Sequence, residues 1–91
     1  MAKASRKIPI DKLNLRKEIK RLLAEITRMD AAKIKETDNI RDDLGVDSLM
    51  AMEVLAAIEK RLDIRIDEAK VFDVVTVKDL INLVVAYIRK K

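Results

Sequence analysis

The chain has 91 residues, 49% of them hydrophobic and 40% charged, with a formal net charge of +4. A domain of this size buries only about 60% of the surface its unfolded form exposes, so a deep catalytic cleft is not expected. Cysteine and histidine are absent, which removes disulfides, thiolate nucleophiles, most structural zinc sites and the commonest general base near neutral pH; no catalytic residue and no metal ligand is assigned.

With one glycine and one proline, the composition favours packed helices over a sheet punctuated by turns. Residues 1–13 contain Pro9 and little apolar periodicity, and read as a partly mobile extension in which Ile8 and Ile10 can dock on the body; residues 14–91 read as the domain. The basic start (Lys3, Arg6, Lys7) is followed by no secretory apolar core, and no stretch approaches the roughly 18 apolar residues of a membrane span. A cytoplasmic chain without a membrane span is expected.

Asn14 is the expected cap of a first helix in which Leu15, Ile19, Leu22, Leu23, Ile26 and Met29 share an arc of about 120°. Residues 30–47 lack sustained periodicity and form a long loop, with a short turn around Ala31 to Ile34 and with Ile34, Ile40 and Leu44 pinning it to the core. A second helix is expected from Ser48 to near Arg61 and a short third from Glu68 to Phe72; Thr76 caps a fourth from Val77 to about Arg89. The fold class is therefore all-α, a four-helix bundle of three longer helices and one short third helix.

Charge is segregated along the chain, +7 over residues 1–35, −6 over residues 36–75 and +3 over residues 76–91. A basic average ordinarily points to nucleic acid through residues such as Lys17, Lys20 and Arg21, but two aromatic residues and an acidic middle argue against it. No nucleic-acid partner is expected.

The acids gather around one serine. Asp42, Asp43 and Asp47 lead into Ser48, Gly45 lets the backbone turn, and Leu49 opens a run of helix formers to Ile58. Backbone N–H groups and the dipole at a helix N-terminus cradle a phosphate, so Ser48 can carry a phosphodiester. On a helical wheel Ala51, Val54, Leu55, Ile58 and Leu62 form a core face, while Ser48, Leu49, Met52, Glu53, Ala56, Glu59 and Lys60 share the opposite arc. Acids mixed with exposed apolar side chains suit transient docking, in which charge steers a basic partner and the apolar groups supply contact area.

The segment Gly45-Val46-Asp47-Ser48-Leu49, with Ile40 and Leu44 before it and Glu53, Glu59, Leu62, Asp63, Ile64 and Ile66 after it, resembles the acyl carrier protein family over roughly residues 14 to 89. The resemblance implies the four-helix carrier bundle and a phosphopantetheine arm on Ser48, donated by coenzyme A through a phosphopantetheinyl transferase. It implies a non-catalytic carrier that holds acyl intermediates as thioesters and presents them to fatty-acid, lipid or polyketide enzymes. Asp47, Leu49, Met52, Glu53, Ala56 and Glu59 would meet the transferase and the loading, condensing or acyltransferase enzymes through their basic docking patches. Val54, Ile58, Ile66 and Val71 are candidates for an acyl pocket, and a monomer is expected. Met50 and Lys60 replace acids common in fatty-acid carriers, and Asp67 stands where a proline is frequent, which leaves open a partner set distinct from the housekeeping one. The alternatives are a peptidyl or aminoacyl carrier of a nonribosomal or polyketide pathway, a small basic nucleic-acid module, and a bundle serving only as an interaction subunit.

Overall fold

The computed structural model describes residues 12–90. Its elements are α1 (Lys12–Thr27), a single 3-10 turn (Ala31–Lys33), α2 (Ser48–Leu62), the short α3 (Glu68–Val71) and α4 (Val77–Lys90). The expected docking of Ile8 and Ile10 lies outside the described residues. α1 begins at Lys12, so Asn14 sits in its first turn and does not cap it. The reason is local, because Lys and Leu propagate a helix well and nothing at residues 12–13 stops it. α3 is one residue shorter and α4 one longer than expected, within the ordinary fraying of helix ends.

Both α1 and α2 stop by the same device. Arg28 (φ 63°) and Asp63 (φ 56°) adopt the left-handed conformation, and the following N–H groups reach back five residues, Met29 to the carbonyl of Ala24 and Ile64 to that of Glu59, each at 3.1 Å. This closes each helix as a glycine ordinarily would, at a cost of about 1–2 kcal/mol for a non-glycine residue. The chain's single glycine is used elsewhere.

Leu15, Ile19, Leu22 and Leu23 of α1 are buried against Val54, Leu55 and Ile58 of α2 and Val77, Leu80, Ile81 and Val84 of α4. α1 packs on both long partners, and α3 bridges α2 and α4. The long loop contributes Ile34, Ile40, Leu44 and Val46, all buried. At about 1.5–3 kcal/mol for each such side chain, these four anchors hold a segment that has no regular structure of its own.

The start of α4 is fixed by a reciprocal cap. Thr76 Oγ1 accepts from the N–H of Asp79 at 3.1 Å, and Asp79 Oδ2 accepts from the N–H groups of Thr76 (3.0 Å) and Val75 (3.2 Å), the capping-box arrangement with an aspartate in the third position. The Thr76 bond, then the Val75 bond, holds the Asp79 carboxyl below its ordinary value of 3.8. A carboxyl lowered in the fold contributes stability above its unfolded value and loses it as pH falls through the folded one. Thr76→Ala is expected to lose about 0.5–2 kcal/mol in urea unfolding. Asp79→Asn should be less stable at neutral pH, and its urea midpoint should fall less than that of wild type as pH drops below 3.8.

Candidate functional site

The segment that leads into Ser48 is a structured turn. Asn39 and Asp43 bond reciprocally: Asn39 N–H donates to Asp43 Oδ2 at 2.7 Å, and Asp43 N–H donates to the Asn39 carbonyl at 2.8 Å. Asn39 Oδ1 accepts from the N–H of Asp42 at 2.8 Å, and Asp38 Oδ2 from that of Lys35 at 2.9 Å. The turn is tied to the α3–α4 junction by Ile40 N–H to the Val75 carbonyl (2.9 Å) and Val77 N–H to the Asp38 carbonyl (3.1 Å). Gly45, at φ 71°, then reverses the chain into Asp47; a methyl group there would meet nothing within 4 Å, so the need for glycine is conformational and not one of space.

Asp47, not Ser48, caps α2. Its Oδ1 accepts from the N–H of Met50 at 2.8 Å, and its carbonyl accepts from that of Ala51 at 2.8 Å. Ser48 is thereby placed as the first helical residue, exposed, and its hydroxyl has no hydrogen-bond partner among the described residues. The backbone N–H groups of Ser48 and Leu49 belong to the first turn, which a helix leaves without internal acceptors. A phosphodiester fits there: an exposed, uncommitted hydroxyl, two available donors and the positive end of a 15-residue helix.

Around it, Leu49 is 71% exposed, Glu53 and Ala56 are exposed, and Met52 is half-buried against the core. Glu59 differs from the docking role expected of it. Its Oε2 accepts from the N–H of Ile66 at 2.8 Å, tying the α2–α3 loop back to α2, so this half-buried acid already has a structural partner. A helical wheel places a side chain on an arc but does not reveal a loop that folds back to meet it.

A narrow apolar cleft of about 40 Å³ is lined by Val46 and Ala51, which flank Ser48 in sequence, by Leu23, Ile40, Val54, Leu55, Val74 and Leu80, and by Val71, Phe72 and Arg41. Val54 and Val71 line it as expected. Ile58 and Ile66 do not; Ile58 is fully buried and Ile66 is nearly so. Ile58 lies one helical turn beyond Val54, a step along the axis that carries it past the cleft into the packed layer against α1 and α4. The sequence reading missed Arg41 and Phe72, the latter 49% exposed at the end of α3. The signal for Phe72 was its singularity, the only phenylalanine of the chain set where a short helix ends.

The family model described as the phosphopantetheine attachment site matches residues 17–84. The acyl carrier protein of Clostridium acetobutylicum is 33% identical over 70 residues, covering 77% of this chain and 91% of that protein. The chain belongs to the acyl carrier protein family. The carrier is also similar to segments of two fungal proteins, 42% identical over 74 residues to the non-reducing polyketide synthase dbaI of Emericella nidulans and 35% over 66 residues to the 3-methylorcinaldehyde synthase of Sarocladium schorii. Those matches cover 81% and 72% of the carrier but only 3% and 2% of the synthases' lengths. In fold it is similar to the apo doublet acyl carrier protein from prodigiosin biosynthesis, at a TM-score of 0.68 and 21% identity, over 79% of this chain and 35% of that one. The carrier thus has the all-α bundle of its family and carries acyl groups on phosphopantetheine. Such carriers work with phosphopantetheinyl transferases and synthase enzymes and are generally non-catalytic. No helix among the described residues is long and apolar enough to cross a membrane.

The cap geometry separates the structural residue from the chemical one. Asp47→Ala should lower stability by about 0.5–2 kcal/mol, whereas Ser48→Ala, which removes a solvent-exposed hydroxyl without a partner, should shift the urea midpoint within about 0.5 kcal/mol of wild type.

Proposed function

We propose that Ser48 is the residue that carries the phosphopantetheine arm, and that the chain is a carrier acted on by partner enzymes with no catalysis of its own. The observation that supports this is the exposed, unpartnered Ser48 hydroxyl at the first position of α2, set there by the Asp47 cap and the Gly45 turn. The arm would supply a thiol, and hence a thioester to each acyl group in turn. Asp47 holds the helix start, Ser48 Oγ forms the phosphodiester, and Leu49, Met52, Glu53 and Ala56 present the surface that a partner meets. Lys60, 12 residues along the same helix, ends that acidic and apolar surface with a cation. The likeness to a segment of a polyketide synthase, together with Met50 and Lys60 in place of acids, supports a polyketide-type pathway over housekeeping fatty-acid synthesis. A monomeric carrier in the cytoplasm, with its domain over residues 14–91, completes the reading.

Intact-protein mass spectrometry tests the attachment. After incubation with coenzyme A and a broad-specificity phosphopantetheinyl transferase, the wild type should gain the mass of one phosphopantetheine group and Ser48→Ala should gain none. Addition to the Ala variant, or none to wild type, would overturn the assignment.

The docking face is tested with the same transferase. Glu53→Lys, which reverses an exposed charge with no ion-pair partner among the described residues, should reduce kcat/KM about fivefold. Lys17→Glu on α1 should change it much less. Salt should weaken the wild-type reaction, because the Debye length falls from about 10 Å at 0.1 M to about 3 Å at 1 M. Glu59→Lys is the poorer probe, since it also breaks the bond to Ile66.

A further inference from the structure

Arg41 is the only cation between Lys35 and Lys60, and every other charge from Glu36 to Glu59 is an acid. Among the described residues it is also the only charged one lining the apolar cleft. Arg41, Phe72 and Val74 line both this cleft and the open groove next to it, where Asn39, Asp42 and Val75 complete the wall. That shared position, together with the exposure of Arg41, sets its side chain at the rim, where the cleft meets the surface.

Four acids lie close by in sequence, yet none forms an ion pair with Arg41 among the described residues. Asp38, Asp43 and Asp47 each accept a backbone N–H that holds the turn or caps α2. Asp42 lines the open groove with Arg41 but forms no ion pair with it, so among the described residues the guanidinium is a fork of donors without a paired carboxylate, at the rim of an apolar cleft whose lining includes Val46 and Ala51, the residues that flank Ser48 in sequence. Planar guanidinium groups bind carboxylates bidentately and remain charged at any working pH. The cleft itself, at about 40 Å³, falls well short of the roughly 150 Å³ that admits a benzene-sized group. A long alkyl chain does not fit it as it stands; a short group with a polar end at the rim does.

We infer that Arg41 selects cargo, engaging the free carboxylate of a short dicarboxylic acyl group such as malonyl, in preference to an acyl group of equal reach without that charge. This rests on the assignment of Ser48 as the attachment site. Arg41 acts as a specificity residue toward the cargo and takes no part in bond making. The surrounding acids sharpen the selection, because without Arg41 they would repel an anionic cargo from the rim.

The test loads the full chain, as wild type, Arg41→Ala and Arg41→Lys, from malonyl-coenzyme A or acetyl-coenzyme A with a broad-specificity transferase, and confirms loading by intact mass. Thioester half-life in buffer and the NMR shifts of Arg41 Nε–H and of the Val46, Val71 and Val74 amides are then compared. In the wild type, malonyl loading should move the Arg41 Nε–H signal and acetyl loading should not. The malonyl thioester should outlast that on Arg41→Ala by about threefold, with Arg41→Lys between them, and the acetyl half-lives should agree across all three proteins. Equal responses to malonyl and acetyl, or a malonyl form indifferent to Arg41→Ala, would overturn the inference while leaving the carrier assignment standing. Absence of the mass gain would overturn the attachment reading and this one with it.

Discussion

The arrangement depends on a short splice of backbone between two irregular segments. Ile40 N–H to the Val75 carbonyl and Val77 N–H to the Asp38 carbonyl pair the long loop with the α3–α4 junction, and Asn39 and Thr76 form an isolated antiparallel bridge at its centre. Lys78 N–H adds a third bond, to the carbonyl of Glu36. Everything that defines the site is referred to this splice. It fixes the turn that ends at Gly45 and with it the point where α2 begins; it sets Arg41 against Phe72 and Val74; and it brings the capped start of α4 up to the loop. A loop of this length gains little from local propensity, so cross-chain hydrogen bonds and four buried aliphatic anchors hold it against its conformational entropy.

The charge pattern acquires a structural meaning once the partners are known. Much of the basic α1 surface is internally engaged: Arg16 and Lys20 face Glu36, which stands at the start of the loop, while Glu18 receives Arg21 and, from α2, Arg61. These exposed or half-exposed pairs are individually weak, but they show that part of the positive charge works inside the molecule. The acids near Ser48 divide as well. Asp38, Asp43, Asp47 and Glu59 accept backbone N–H groups, whereas the exposed carboxylates of Asp42 and Glu53 accept none among the described residues. The acidic surface around Ser48 is thus sparser than the sequence reads, and Leu49, at 71% exposure, is the most exposed large apolar side chain among the described residues.

What the sequence made legible follows from periodicity and end signals. The apolar stripes of α1 and α2 and the Thr76 cap were readable because the 3.6-residue period and capping chemistry are local properties. Ser48 was readable because glycine, aspartate and serine at that spacing describe a turn into a helix. The division of labour between Asp47 and Ser48 was not, since either side chain can cap, and only the bond to Met50 decides it. Glu59 and Ile66 meet through a fold-back of the α2–α3 loop, Tyr87 Oη accepts from the N–H of Asp67 across 20 residues, and the cleft draws residues from every helix. Such contacts are set by tertiary packing, which no single-chain pattern encodes. For the same reason Ile58 and Ile66, indistinguishable in the sequence from Val54 and Val71, belong to the core and not to the cleft.

The central claim is that Ser48 is where this carrier holds its arm. The most direct measurement is peptide mapping of protein co-expressed with a phosphopantetheinyl transferase and digested with trypsin. Cleavage after Arg41 and Lys60 releases residues 42–60, in which Ser48 is the only hydroxyl-bearing side chain. The account predicts that this peptide carries phosphopantetheine and loses it on fragmentation at Ser48. A peptide 42–60 found only unmodified, or the group found on another peptide of the chain, would contradict it.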